Sequence, residues 1–178
     1  NGLLDIAALE SALSDDASNA IVAVMLANNE TGALQPIAEI AECVNAKGAL
    51  LAVDAAQAFG KTPVVLADLN ADMLAFSSAK VGGPLGAGAA VFRKGVVPKA
   101  LLTGGGQERG LRGGSENLLG IAGFGGALAA LDASLAAQSQ VARLRDQMEA
   151  AVLATAPEVV LNGLDAPRLA TTASIAMP

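Results

Sequence analysis

The sequence predicts an α/β fold: a mainly parallel, partly mixed sheet flanked by helices. Three observations carry that prediction. Helix-type and strand-type hydrophobic spacing alternate from residue 1 to about 60, which is how strands joined by crossover helices are written. The strand-type runs are short, continuously apolar and rich in branched side chains, as strands of buried parallel sheets are. Three of them end in polar clusters, the place where open α/β sheets bind ligands.

The elements follow in order. Ile6, Leu9 and Leu13 fall at helical intervals within residues 5–13, so a short amphipathic helix is expected there. Residues 21–26 form an apolar run bounded by Asn28-Asn29-Glu30-Thr31-Gly32 and read as a strand buried on both faces. Pro36 suits the start of a helix whose inner face is Ile37, Ile40, Ala41 and Val44, closing at Gly48. Residues 49–53 form the next strand, ending at Asp54, and residues 73–76 another, ending in Ser77-Ser78-Ala79-Lys80. Residues 88–92 give a fourth, reached through a loop rather than a helix, so the sheet is expected to be mixed at that end. Residues 117–154 read as one long Ala- and Leu-rich helix. Gly120, Gly123, Gly125 and Gly126 near its start suggest a bend or close packing. Its stripe of Leu128, Leu131, Leu135, Val141, Leu144 and Met148 is expected to bury against the sheet or a partner subunit. Pro157 ends it, and residues 159–161 and 171–176 read as strands of a second unit.

Composition narrows the function. Hydrophobic residues make up 53% and charged ones 16%, a core-rich balance that excludes a disordered chain. A net charge of −6 argues against nucleic acid as a partner. The single cysteine, Cys43, excludes an internal disulfide framework and any multi-cysteine metal site within this chain. The absence of histidine excludes Ser-His-Asp and Cys-His catalysis built from these residues alone. No run resembles a signal peptide or a bilayer span, so a cytoplasmic protein without membrane contact is the expectation. The chain begins at Asn1 rather than Met and stops just after a strand-like run, and so reads as part of a longer polypeptide.

If the three strands are neighbours, their polar ends converge on one crevice. Lys80, beside Ala79, Val81, Gly82 and Gly83, is a candidate for an amine desolvated for Schiff-base chemistry. Asp54 is suited to hold a proton on a pyridine nitrogen, and the hydroxyls of Ser77 and Ser78 to bond a phosphate. Each also has an ordinary reading: Lys80 as a solvated loop charge, Asp54 as a turn or helix cap, Gln57 and Asn29 as loop polars. Gly82-Gly83-Pro84-Leu85-Gly86 and Gly104-Gly105-Gly106 lack the Gly-Lys-Ser/Thr of a P-loop and read as turns. Cys43 reads as a small core hydrophobe. Glu108, Arg109 and Arg112 fit either a surface cluster or an anion clamp.

Four motifs in series resemble the cysteine desulfurase family: Asn28-Asn29-Glu30-Thr31-Gly32, Val53-Asp54-Ala55-Ala56-Gln57-Ala58, Ser77-Ser78-Ala79-Lys80 and Gly104-Gly105-Gly106-Gln107-Glu108-Arg109-Gly110. That family belongs to the class-V aminotransferase-like, pyridoxal-phosphate-dependent enzymes of fold type I. The resemblance implies pyridoxal 5'-phosphate as cofactor, with Lys80 as the lysine that binds it covalently. It implies Asp54 at the pyridine nitrogen, Gln57 near the ring hydroxyl, Asn29 near the cofactor and the substrate carboxylate, and Ser77 at the phosphate. Ser115 stands where the family often has a Thr that reaches the phosphate of the partner subunit. The implied reaction takes sulfur from L-cysteine, leaving L-alanine and an enzyme persulfide. The implied partners are a second copy of the chain and a sulfur-acceptor scaffold protein, in iron–sulfur cluster assembly or thio-modification. Residues 1–116 would be part of the cofactor-binding large domain, 117–156 a connecting helix, and 157–178 the start of the small domain. Ala79 replaces the family's usual histidine and Leu85 a common lysine. The family's ring-stacking histidine would lie before Asn1, and its persulfide cysteine and carboxylate-gripping arginine beyond Pro178. The competing readings are a related class-V enzyme (selenocysteine lyase, aminotransferase or epimerase relative) and a degenerate, non-catalytic homologue.

Overall fold

Asp5 begins the first helix by accepting the Ala8 N–H on its carboxylate, and α1 (Ile6–Ala12) follows. This computed structural model describes residues 2–177. After α1 come β1 (Ile21–Met25), α2 (Ile37–Ala46), β2 (Leu50–Asp54), the single-turn α3 (Leu66–Leu69), β3 (Met73–Ser77) and β4 (Gly88–Phe92). The four strands form one sheet in chain order. β1, β2 and β3 run parallel, with Met25 opposite Asp54 and Asp54 opposite Ala75. β4 runs antiparallel to β3, Ser77 facing Gly88, so the sheet is mixed at the expected end.

The core lies on one face of this sheet. Val22, Val24, Leu51, Val53, Leu74 and Phe76 alternate onto that face and meet the buried stripe Ile37, Ile40, Ala41 and Val44 of α2. Ile40, Val44, Leu51, Val53 and Leu74 are the largest apolar side chains fully shut away, each worth about 1.5–3 kcal/mol of burial. The expectation that β1 is buried on both faces is not met. Among the described residues β1 is the edge strand of the sheet, and Ile21 is 68% exposed. Helices α1–α3 all pack on the core side. The other face, with Ala23, Met25, Ala52, Asp54, Met73 and Ala75, is a shallow depression of about 340 Å³.

The long C-terminal stretch is two helices, not one. α4 (Leu118–Leu128), capped by the Asn117 side chain on the Gly120 N–H, meets α5 (Leu131–Thr155) at 57°. The break falls at Ala129–Ala130 and not at the glycines. Separate docking explains it: α4 packs on the loop after β3, whereas α5 starts against Gly60, whose carbonyl accepts the Ser134 hydroxyl at 2.7 Å. Of the expected apolar stripe, Leu131, Leu135 and Val141 are half-buried, while Leu128, Leu144 and Met148 stay exposed. The buried residue of α5 is instead Glu149, held in a two-pronged ion pair with Arg168 at 2.8 and 3.0 Å. Two short strands, β5 (Val160–Leu161) and β6 (Ile175–Ala176), pair antiparallel at the end of the chain. Among the described residues no single helix is long and apolar enough to cross a membrane.

Candidate active site

Because β1, β2 and β3 are parallel neighbours, their carboxyl ends share one edge. That edge brings together five of the six predicted site residues: Asn29, Asp54, Gln57, Ser77 and Lys80.

After β1 the chain makes a tight turn built by Asn28, not Asn29. The Asn28 Oδ1 accepts the N–H groups of Glu30 and Thr31, each at 2.9 Å, and the Thr31 hydroxyl. Gly32 closes the turn at φ +75°, and a Cβ there would lie 2.7 Å from Thr172 Cβ. The turn is further fixed by the C-terminal segment: the Leu34 N–H donates to Pro167 O, and the Leu169 N–H to Gly32 O. Asn28 is thereby used up structurally. Asn29 is left exposed at the tip, its amide donating to Glu30 Oε1 at 2.6 Å.

Asp54 ends β2 with an exposed side chain that accepts only the Ala56 N–H, at 2.8 Å, among the described residues. Residues 55–62 then coil back in overlapping turns. The Phe59 ring stacks obliquely on Phe76 of β3, centroids 4.4 Å apart, which seats this turn beside the next strand end. Gln57 is half-buried, and its Oε1 accepts from Lys61 Nζ at 3.1 Å.

β3 runs into a 3₁₀ turn, Ser78–Val81, closed by Gly82 at φ +84°. Ser77 is half-buried at the strand end. Ser78 cannot serve as a phosphate donor in this arrangement. It is fully buried, and its Oγ faces Gly83 so closely that a Cβ there would lie 2.2 Å away. Lys80 is exposed, contrary to the expected desolvation. Its small neighbours have too little bulk to cover it.

The sixth residue, Ser115, is not on a strand end. It lies in an exposed loop after the glycine-rich segment, its carbonyl capped by Arg112 Nη1 at 3.0 Å. Arg112 Nη1 also donates to Gly114 O, at 3.1 Å, which ties it to its own loop. The neighbouring 3₁₀ turn, Gln107–Gly110, holds Glu108 and Arg109 at positive φ (49° and 58°). Asn117 ties this region to Gly86 O.

Two features of the site go beyond what the sequence predicts. Lys61, four residues after Gln57, is half-buried; burial of its ammonium, then repulsion from the Lys80 ammonium, hold its pKa below the ordinary lysine value. The Glu149–Arg168 pair braces the segment that pairs with the Asn28–Gly32 turn, since Arg168 bridges to Ala33. The i, i+4 spacing of Gln57 and Lys61 is a visible signal for the first; nothing local marks the second. Among the described residues no group of His, Cys, Asp and Glu could hold a metal ion.

A primary amine, a carboxylate, two carboxamides and a hydroxyl on one sheet edge form a donor set that fits a phosphorylated pyridine aldehyde. The amine would hold such a group through its aldehyde, the carboxylate would match a protonated ring nitrogen, and the neutral donors would match ring oxygen and phosphate. Comparison with known proteins agrees with this class. The family described as Aminotransferase class-V matches residues 1–178, and the chain belongs to that family. It is 41% identical over 175 residues to a cysteine desulfurase of Enterobacter agglomerans, spanning 98% of this chain and 43% of that protein. It is 42% identical over 177 residues to one of Nostoc sp., spanning 98% and 44%. Among solved structures, a NifS-like protein from Rickettsia africae superposes with a TM-score of 0.92 at 32% identity, covering 99% of this chain and 49% of that one. DndA from Streptomyces lividans superposes at 0.81 and 34% identity, covering 95% and 48%. The fold is thus that of fold type I pyridoxal-phosphate enzymes. The chain spans less than half the length of the curated relatives it matches.

Proposed function

We propose that this chain is the central part of a pyridoxal 5'-phosphate-dependent cysteine desulfurase. The observation that carries the reading is the convergence of Lys80, Asp54, Gln57, Asn29 and Ser77 on the carboxyl edge of three parallel strands. When bound, the cofactor supplies an electron sink that weakens bonds at the substrate's α and β carbons.

The chain's own residues take the remaining roles. Lys80 Nζ attaches the cofactor and moves protons beside it. The Asp54 carboxylate keeps a proton on the ring nitrogen, as only an anion there can. Gln57 donates its amide N–H to the ring oxygen, Asn29 orients the substrate carboxylate, and Ser77 donates to the phosphate. In the net reaction the C–S bond of L-cysteine breaks, its sulfur passes to a cysteine thiol as a persulfide, and L-alanine leaves. Cys43, half-buried on α2 among core-facing residues, is not assigned that thiol.

A second copy of the chain is the proposed partner, with Ser115 reaching the phosphate across the interface. Exposed Leu101, Leu102, Leu111, Leu118 and Leu119, close together in the chain around the Ser115 loop, support it. A cytoplasmic location and a sulfur-acceptor protein, for iron–sulfur assembly or thio-modification, complete the proposal.

The test is a pyridoxal 5'-phosphate titration of the full-length protein followed by visible absorption, beside Lys80→Ala. A band that the variant lacks, with borohydride reduction placing a pyridoxyl group on Lys80, is expected. No band in the folded wild-type protein overturns the reading.

A further inference from the structure

Lys61 has no part in the roles given so far, yet it is placed where a charge is costly. Its stem is half-buried, and burial and the Lys80 charge both act against its ammonium. The placement is a tertiary one. A Cβ on Gly60 would lie 3.1 Å from Val81 Cγ1 and 2.9 Å from Leu131 Cδ2, so the turn bearing Lys61 is wedged between the Lys80 turn and the start of α5. The charged residues on the elements packed there are Lys80, Asp54 on β2 and Asp132 in the first turn of α5.

Within this wedge Lys61 Nζ lies 3.1 Å from the Gln57 side chain. An ammonium only donates, so the Gln57 atom it meets must be the carbonyl oxygen. That contact removes the two-fold ambiguity of the amide. The NH2 end is left as the free end, with no acceptor among the described residues.

We propose that Lys61 is a positioning residue of the cofactor site: it orients Gln57 as an N–H donor to the ring oxygen and sets a second positive charge beside Lys80. The inference rests on the cofactor reading above and adds to it a residue that touches neither cofactor nor substrate. Both effects favour the deprotonated form of the bound cofactor, the first by hydrogen-bonding its ring oxygen as an anion, the second by repelling a nearby proton.

The experiment is a pH titration of the visible band in full-length, cofactor-loaded wild type, Lys61→Met, Lys61→Arg, Gln57→Leu and the Lys61→Met/Gln57→Leu double variant. Lys61→Met is expected to raise the band's pH midpoint by roughly one unit, Lys61→Arg to stay near wild type, and the double variant to shift by less than the sum of the singles. Should Lys61→Met not fold, Lys61→Gln carries the same expectation. A wild-type midpoint in the folded Met or Gln variant, or full additivity, overturns the inference while the band itself upholds the cofactor reading. A wild-type protein without a band overturns both.

Discussion

Two aspartates at opposite ends of the same sheet have opposite fates. Asp72, just before β3, is 2% exposed. One of its oxygens accepts the Leu51 N–H at 2.8 Å, and the other takes Arg93 through both Nε and Nη2. Asp54, at the carboxyl end of β2, is exposed and keeps only a local bond to Ala56. The first carboxylate is saturated by the fold and ties the ends of three strands together. The second is left available where parallel strands open onto a crevice. Burying a charge demands full pairing; a carboxylate without such partners stays at the rim.

The contrast can be broken by substitution. The largest effect is expected from Asp72→Ala, which leaves the buried Leu51 N–H without its partner while the exposed Arg93 returns to water, and should cost about 3 kcal/mol in chemical denaturation. Asp54→Ala should change stability by no more than about 0.5 kcal/mol while weakening and shifting the visible cofactor band; equal costs for the two would refute the contrast. Next, Gly83→Ala forces a methyl into Ser78 Oγ and should destabilise by about 1–3 kcal/mol. A clash-relieving Ser78→Ala on the same background should recover part of that loss in thermal melts. The smallest effect concerns the surface pair Lys47–Asp15, 2.9 Å apart. The hydrogen bond and charge of Lys47 hold the Asp15 pKa below its ordinary value of 3.8. Its contribution is therefore present above pH 3.8 and lost as pH falls through the lowered value. With Asp15 fully exposed to solvent screening, the pair should leave the acid-denaturation profiles of Lys47→Met and wild type nearly superimposable.

The strand ends that carry the site are legible in the sequence, because each is a local event: an apolar run stops and a polar group begins. What cannot be read locally is which polar group at each end is spent on the fold. Asn28 and Asn29 are adjacent and chemically identical. Only the turn shows that Asn28 bonds Glu30 and Thr31 while Asn29 is left at the tip. Ser77 and Ser78 divide in the same way, one half-open at the strand end, the other closed against Gly83. The helix break falls away from the glycines for a related reason. Glycines mark where bending is cheap, but the bend falls at Ala129–Ala130, where two helices dock on different surfaces.

The sequence by itself determined the α/β class, the order of the four sheet strands, the Asp5 and Pro36 helix starts and the chemistry offered at each strand end. Those features depend on spacings of two to four residues, which hydrophobic periodicity and capping record directly. Tertiary structure decided that the helices before β3 cover one face only and that Glu149 is buried against Arg168. It also decided that Lys61 reaches both Gln57 and the neighbourhood of Lys80. Such pairings depend on which distant segments meet once strands align, and no local period encodes that distance.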